Sequence, residues 1–111
     1  MCTDPAPKTS EAADYLATTK FGPPRFALGQ IVATRAVASF FNLHGINAME
    51  YLRLHARCRY GEVSIGDASA NDEAVRNGGR VLSAYPISGR VVWVITEADR
   101  SSTCLLFPSE Y

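Results

Sequence analysis

Arg80–Tyr111 reads RVLSAYPISGRVVWVITEADRSSTCLLFPSEY. Three apolar runs alternate with two polar turns, which predicts a three-stranded meander. In the first run Val81, Ser83 and Tyr85 face one way and Leu82 and Ala84 the other. Pro86 lacks an N–H, so it ends that strand or sits at a sheet edge. Ser88-Gly89 is a two-residue hairpin signal. From Arg90 to Thr96 both faces are apolar, Val91, Trp93 and Ile95 against Val92 and Val94, as in a central strand covered on two sides. Thr103 to Phe107 is the last strand, closed by Pro108. The turn before it, Thr96-Glu97-Ala98-Asp99-Arg100-Ser101-Ser102, carries more charge than a turn requires, so function is sought there first.

Upstream of the meander the pattern turns helical. Gly29 to Ala33 is a short β-like run, and Thr34 can cap a helix over Arg35 to Leu43, ended by His44-Gly45. Asn47 and Glu50 resemble a capping box. Met49, Leu52, His55 and Ala56 then share one face of a helix reaching about Arg57. A third, polar helix is expected from about Asp67 to Asn77, capped by Asp67 or Ser69 and stopped by Gly78-Gly79. The expected class is α+β: a short N-terminal strand and two to three helices packed on a three- to four-stranded antiparallel meander. Pro5, Pro7, Pro23 and Pro24 punctuate residues 1–24, read as a flexible tail with one short helix at Glu11 to Thr18; residues 25–111 form one domain.

Composition narrows the functional classes. Lysine plus arginine number 11 and acids also number 11, so the net charge is zero and a dedicated nucleic-acid binder is disfavoured. Three cysteines without a CxxC pair argue against zinc, and no metal or cofactor is expected. Cys104 reads as a small buried hydrophobe. No apolar run is long enough for a bilayer, and no signal-peptide core follows Met1, so a cytoplasmic protein is expected.

The tail WVITEADRSSTCLLFPSEY resembles the C-terminal signature of a family of small bacterial proteins of plasmids and integrative elements, which end in a form like WIITEADRSxTTxLLPxEY. Gly79 to Tyr85, Gly29 to Thr34 and Leu105 to Tyr111 extend the likeness over roughly Phe26 to Tyr111. Where the family carries Trp-Gly-Asp, this chain has Tyr60-Gly61-Glu62. The resemblance implies a mobile-element context, with members often labelled plasmid-related or restriction-associated, and implies no settled activity.

Two functional classes follow, and a third, a DNA-associated plasmid accessory protein, is disfavoured by the charge balance. In the first the chain is a protein-binding module that inhibits host defence, with a restriction or CRISPR component as its partner. Its contact residues are Glu97, Asp99, Arg100 and Ser101 on the charged turn, with Arg53 and Arg57 as a basic patch. A plainer reading makes these a solvated turn and helix face. In the second the chain is a metal-independent ribonuclease of the barnase or toxin type. His55 would then be the acid–base group, with Arg80, Ser83, Tyr85, Thr96, Arg100 and Thr103 of the meander as the rest of the kit. The plainer reading of His55 is a helix-end residue bonded to a carbonyl of the Tyr60–Glu62 loop.

Overall fold

The computed structural model describes residues 23–111, together with the backbone of residues 4 and 5. The expected tail lies almost wholly outside the described residues, and its short helix entirely so.

Four strands form the sheet: β1 (Gln30–Ala33), β2 (Val81–Ile87), β3 (Arg90–Thr96) and β4 (Ser102–Leu106), in the spatial order β1-β4-β3-β2. The backbone of Asp4 and Pro5 adds a two-residue antiparallel pairing outside β1. The meander β2-β3-β4 is antiparallel, but β1 runs parallel to β4, with Val32 opposite Cys104. The sheet is therefore mixed, not the antiparallel sheet expected. A parallel pair needs a long crossover, and the three helices with the β2-β3 hairpin supply it. Gly29 sets the entry to β1. Its backbone is left-handed (φ 66°), and a Cβ there would collide with the Arg100 and Ser101 backbone.

Helix α1 (Arg35–His44) starts at Thr34, whose hydroxyl accepts from the Val37 N–H. The same hydroxyl donates to Glu110 Oε1 at 2.8 Å, and that oxygen also accepts from the Phe107 N–H. The C-terminal residues thus place a carboxylate at the positive end of α1. Helix α2 (Ala48–Ala56) is capped by Asn47 and buries Met49, Leu52, His55 and Ala56, the face expected from their spacing. Helix α3 (Ile65–Asn77) begins earlier than expected: Ser64, not Asp67 or Ser69, is its cap, accepting from the Asp67 N–H. The start is hidden in the sequence because Ile65 is 91% exposed and gives no apolar period.

Helices α1 and α2 cover one face of the sheet, where Val37, Leu52, Val92, Val94 and Leu105 are fully buried. Each such side chain contributes about 1.5–3 kcal/mol relative to exposure. Ser88 and Gly89 both take positive φ in the β2-β3 turn, the geometry that matches strand twist. Cys104 is buried in an apolar cluster, as its reading as a small hydrophobe expects, and is also disulfide-bonded. None of the described helices is long and apolar enough to cross a membrane.

Candidate functional site

The charged turn between β3 and β4 is built from its own backbone. Glu97 N–H bonds Ser102 O, Arg100 N–H bonds Glu97 O, and Asp99 Oδ1 accepts from Ser101 N–H at 3.0 Å. Ser101 holds the exposed Asp99 carboxyl below the usual carboxylate range. Arg100 adopts a left-handed backbone (φ 61°), which turns its side chain beneath the loop. One guanidinium nitrogen donates to Gly79 O and Glu97 O, and the other donates to Ala74 O at 2.8 Å. Ala74 O also accepts from the Gly78 and Gly79 N–H groups, so a cation sits at the negative end of α3. Arg100 therefore fastens the turn to α3; Asp99 and Ser101 remain exposed.

Glu97 leads onto a second set of side chains. Its carboxylate lies 3.7 Å from the Arg80 guanidinium, with both groups about half exposed. Arg80 also donates to the Tyr111 hydroxyl and lies over the Tyr111 ring. Tyr111, 61% exposed, meets Trp93 edge to face with ring centroids 5.7 Å apart. Trp93 in turn walls a cavity of about 280 Å³ with Leu82, Asn71, Ala70 and Asp67. A charged pair, two aromatic rings and an apolar-walled cavity thus form one continuous surface. The sequence pattern places Trp93 on one face of the central strand and Tyr111 at the end of the tail, and assigns neither a role in binding. The available signal was the outward register of Trp93 on a strand apolar on both faces.

The edge of the sheet beside this surface is closed. Asn71 pairs its side-chain amide with Leu82, accepting from its N–H and donating to its carbonyl. Two residues along, the Ala84 N–H bonds Tyr60 O and the Glu62 N–H bonds Ala84 O. Gly61 permits that approach: it is left-handed (φ 74°), and a Cβ would strike the Ala84 carbonyl. Pro86 follows with no N–H to offer. An edge blocked at three alternate positions does not accept an added strand.

His55 lies elsewhere, wholly buried under the sheet. Its Nδ1 is 2.6 Å from Ser83 Oγ and its Nε2 is 2.8 Å from Thr96 Oγ1. The chain continues from Thr96 Oγ1 to Thr103 Oγ1 at 2.7 Å, and Thr103 donates to Leu28 O at 2.7 Å. Counting protons assigns the tautomer. Thr103 spends its proton on the carbonyl, so Thr96 donates to Thr103 and His55 Nε2–H donates to Thr96. Nδ1 is then bare and accepts from Ser83. Burial, aided by the positive charge of Arg100, lowers the imidazole pKa from 6.5 to about 3, so the ring is neutral at ordinary pH. The carbonyl partner expected in the Tyr60–Glu62 loop is replaced by hydroxyls of β2 and β3.

Tyr85 is buried and donates to Arg59 O at 2.5 Å, and burial pushes its hydroxyl above the ordinary tyrosine value. Tyr85 and His55 both interact with the Ser83 hydroxyl, whereas Arg80 is on the surface with Glu97 and Tyr111, so the three are not assembled as a catalytic trio. Arg57 is 6% exposed and donates to Arg53 O, so Arg53 and Arg57 form no solvated patch. Among the described residues no group of three or more histidines, cysteines or acids could hold a metal ion.

No family model, curated protein or solved structure matches this chain. Residues 29–34, residues 79–85 and the C-terminal tail contact one another in this fold. Arg100 of the tail bonds Gly79, and Gly29 packs on Arg100 and Ser101. Thr34 bonds Glu110, and Arg80 bonds Tyr111. Much of that polar string holds the fold, and Glu97, Asp99, Ser101 and Tyr111 are the part presented to solvent.

Proposed function

We propose that this chain is a protein-binding module that docks through Glu97, Arg80, Tyr111 and the Trp93 cavity, with Asp99 and Ser101 at the margin. The observation that carries this reading is the exposed Tyr111–Trp93 pair, crossed by Arg80, beside an apolar cavity. Tryptophan, tyrosine and arginine are the side chains that most often dominate binding energy at interfaces. The closed β2 edge favours docking through side chains over strand addition. Against the ribonuclease reading stands the interior position of His55, the proposed acid–base group, with both ring nitrogens occupied. In the mobile-element setting implied by the tail, the partner is a component of host defence, a restriction or CRISPR protein, and binding inhibits it. The test is interference with incoming DNA in a host carrying such a system. Expression of the wild-type chain is expected to raise survival of targeted DNA, and Tyr111→Ala with Glu97→Ala is expected to abolish the gain. A gain that persists in the double variant would remove this surface from the account, and no gain from wild type would remove the anti-defence role.

A further inference from the structure

The cavity beside Trp93 contains one polar group that the fold does not use. Its apolar walls are Trp93, Leu82 and Ala70, and Asn71 and Asp67 complete the lining. Leu82 on β2 and Trp93 on β3 are diagonal neighbours on the sheet face opposite α1 and α2. Asn71 commits its amide to the Leu82 backbone, accepting at Oδ1 and donating from Nδ2. Asp67 differs. Ser64 caps α3, and among the described residues none bonds or pairs with the Asp67 carboxylate.

Charge and size together select an occupant. Helix α3 carries three acids, Asp67, Asp72 and Glu73, against one base, Arg76. Arg80, on the far side of Trp93 and Tyr111, is already matched by Glu97 at 3.7 Å. An anionic occupant would therefore meet an unmatched carboxylate. An apolar one would strip water from that carboxylate and offer no bond in exchange. A cation on an apolar stem suits both the walls and the acid. Pockets for whole small molecules run to about 300–1,000 Å³, so a cavity of about 280 Å³ fits one long side chain. A guanidinium suits it better than an ammonium, because it is planar, stacks on an indole and can present two N–H donors to one carboxylate.

We propose that the Trp93 cavity receives an arginine side chain of the protein partner, its guanidinium on the indole and against Asp67, its methylenes against Leu82 and Ala70. This rests on the docking reading above and gives the partner a chemistry: an exposed arginine on a basic surface.

The test uses the full chain. Trp93 is its single tryptophan, so indole emission reports the cavity directly. N-acetylarginine N-methylamide, titrated at constant ionic strength, is expected to give a saturable change in emission. The uncharged citrulline analogue should bind about tenfold more weakly and the lysine analogue about threefold. Asp67→Asn, at an exposed position, should keep the circular dichroism spectrum and weaken the arginine analogue about three- to fivefold. No saturable change, or equal binding of the citrulline or lysine analogue, would overturn the arginine site. So would an unaltered affinity in Asp67→Asn, and a norleucine analogue that bound as tightly would give the cavity to an apolar side chain instead. Failure of the docking reading looks different. Arginine binding without any host protein captured would leave the cavity assignment standing and remove the partner. A captured protein lost with Glu97→Ala and Tyr111→Ala but indifferent to Asp67→Asn would keep the docking surface and remove the arginine.

Discussion

Acid should weaken this fold through one residue, and the size of the effect follows from the burial of His55. The imidazole ionises near 6.5 in the unfolded chain and near 3 when folded, because burial and Arg100 oppose its charge. Below 6.5 the unfolded state therefore binds a proton that the folded state refuses. The contribution is fully present above pH 6.5, declines as pH falls from 6.5 toward 3, and is flat below that. Between about pH 8 and about pH 4.5 this single site should remove about 3 kcal/mol, since nearly every unfolded molecule and few folded ones are protonated at the lower pH. That is a large share of the roughly 5–15 kcal/mol typical of a domain. Urea unfolding of wild type and His55→Gln at both pH values measures it. The variant should be less stable at pH 8, because the Ser83 and Thr96 hydroxyls lose their ring partner, by about 1–3 kcal/mol. Its stability should fall less between the two pH values than that of wild type, and the difference isolates His55 from the carboxylates. Identical pH dependence in the two proteins would refute the buried neutral imidazole.

Three further perturbations separate structural from docking residues. Gly61→Ala forces a Cβ against the Ala84 carbonyl at a left-handed backbone, so it should cost about 2 kcal/mol or more and lower the thermal midpoint by several degrees in a melt followed by circular dichroism. Arg100→Ala removes the donors to Gly79, Glu97 and Ala74, and should cost about 2–3 kcal/mol in chemical denaturation although the residue sits in a surface turn. Tyr111→Ala should leave stability within about 1 kcal/mol in the same denaturation, because the ring is mostly solvent-exposed.

Local features of the fold were legible because local chemistry determines them. Thr34 and Asn47 announce their helices as caps, and the spacing of Met49, Leu52, His55 and Ala56 marks the buried face. Ser88-Gly89 and the double-faced Arg90–Thr96 run place the hairpin and the central strand. The parallel direction of β1 was not legible, because pairing across about seventy residues of sequence leaves no local trace. Nor was the inward turn of Arg100, which depends on a left-handed backbone at an arginine and on carbonyls of a distant helix end. The partners of His55 were legible as residues of one group, but as a catalytic kit and not as a buried hydrogen-bond chain. Ser83 and Thr96 occupy inward positions on strands whose other inward residues are apolar or aromatic, and a buried hydroxyl requires a partner. The docking surface was half legible: Glu97, Asp99 and Ser101 stand out as a charged string, whereas Tyr111 joins Trp93 only after the chain end folds back beside β3.

The central claim is that the Glu97–Arg80–Tyr111–Trp93 surface holds a protein partner. It is tested most directly by quantitative capture from host lysate on the immobilised full-length chain, wild type against the Glu97→Ala, Tyr111→Ala double variant, both shown to be folded by circular dichroism. The account predicts one host defence protein retained by wild type and reduced about tenfold or more by the variant, as expected when interface hot spots are truncated. Equal retention of that protein by both chains would contradict it.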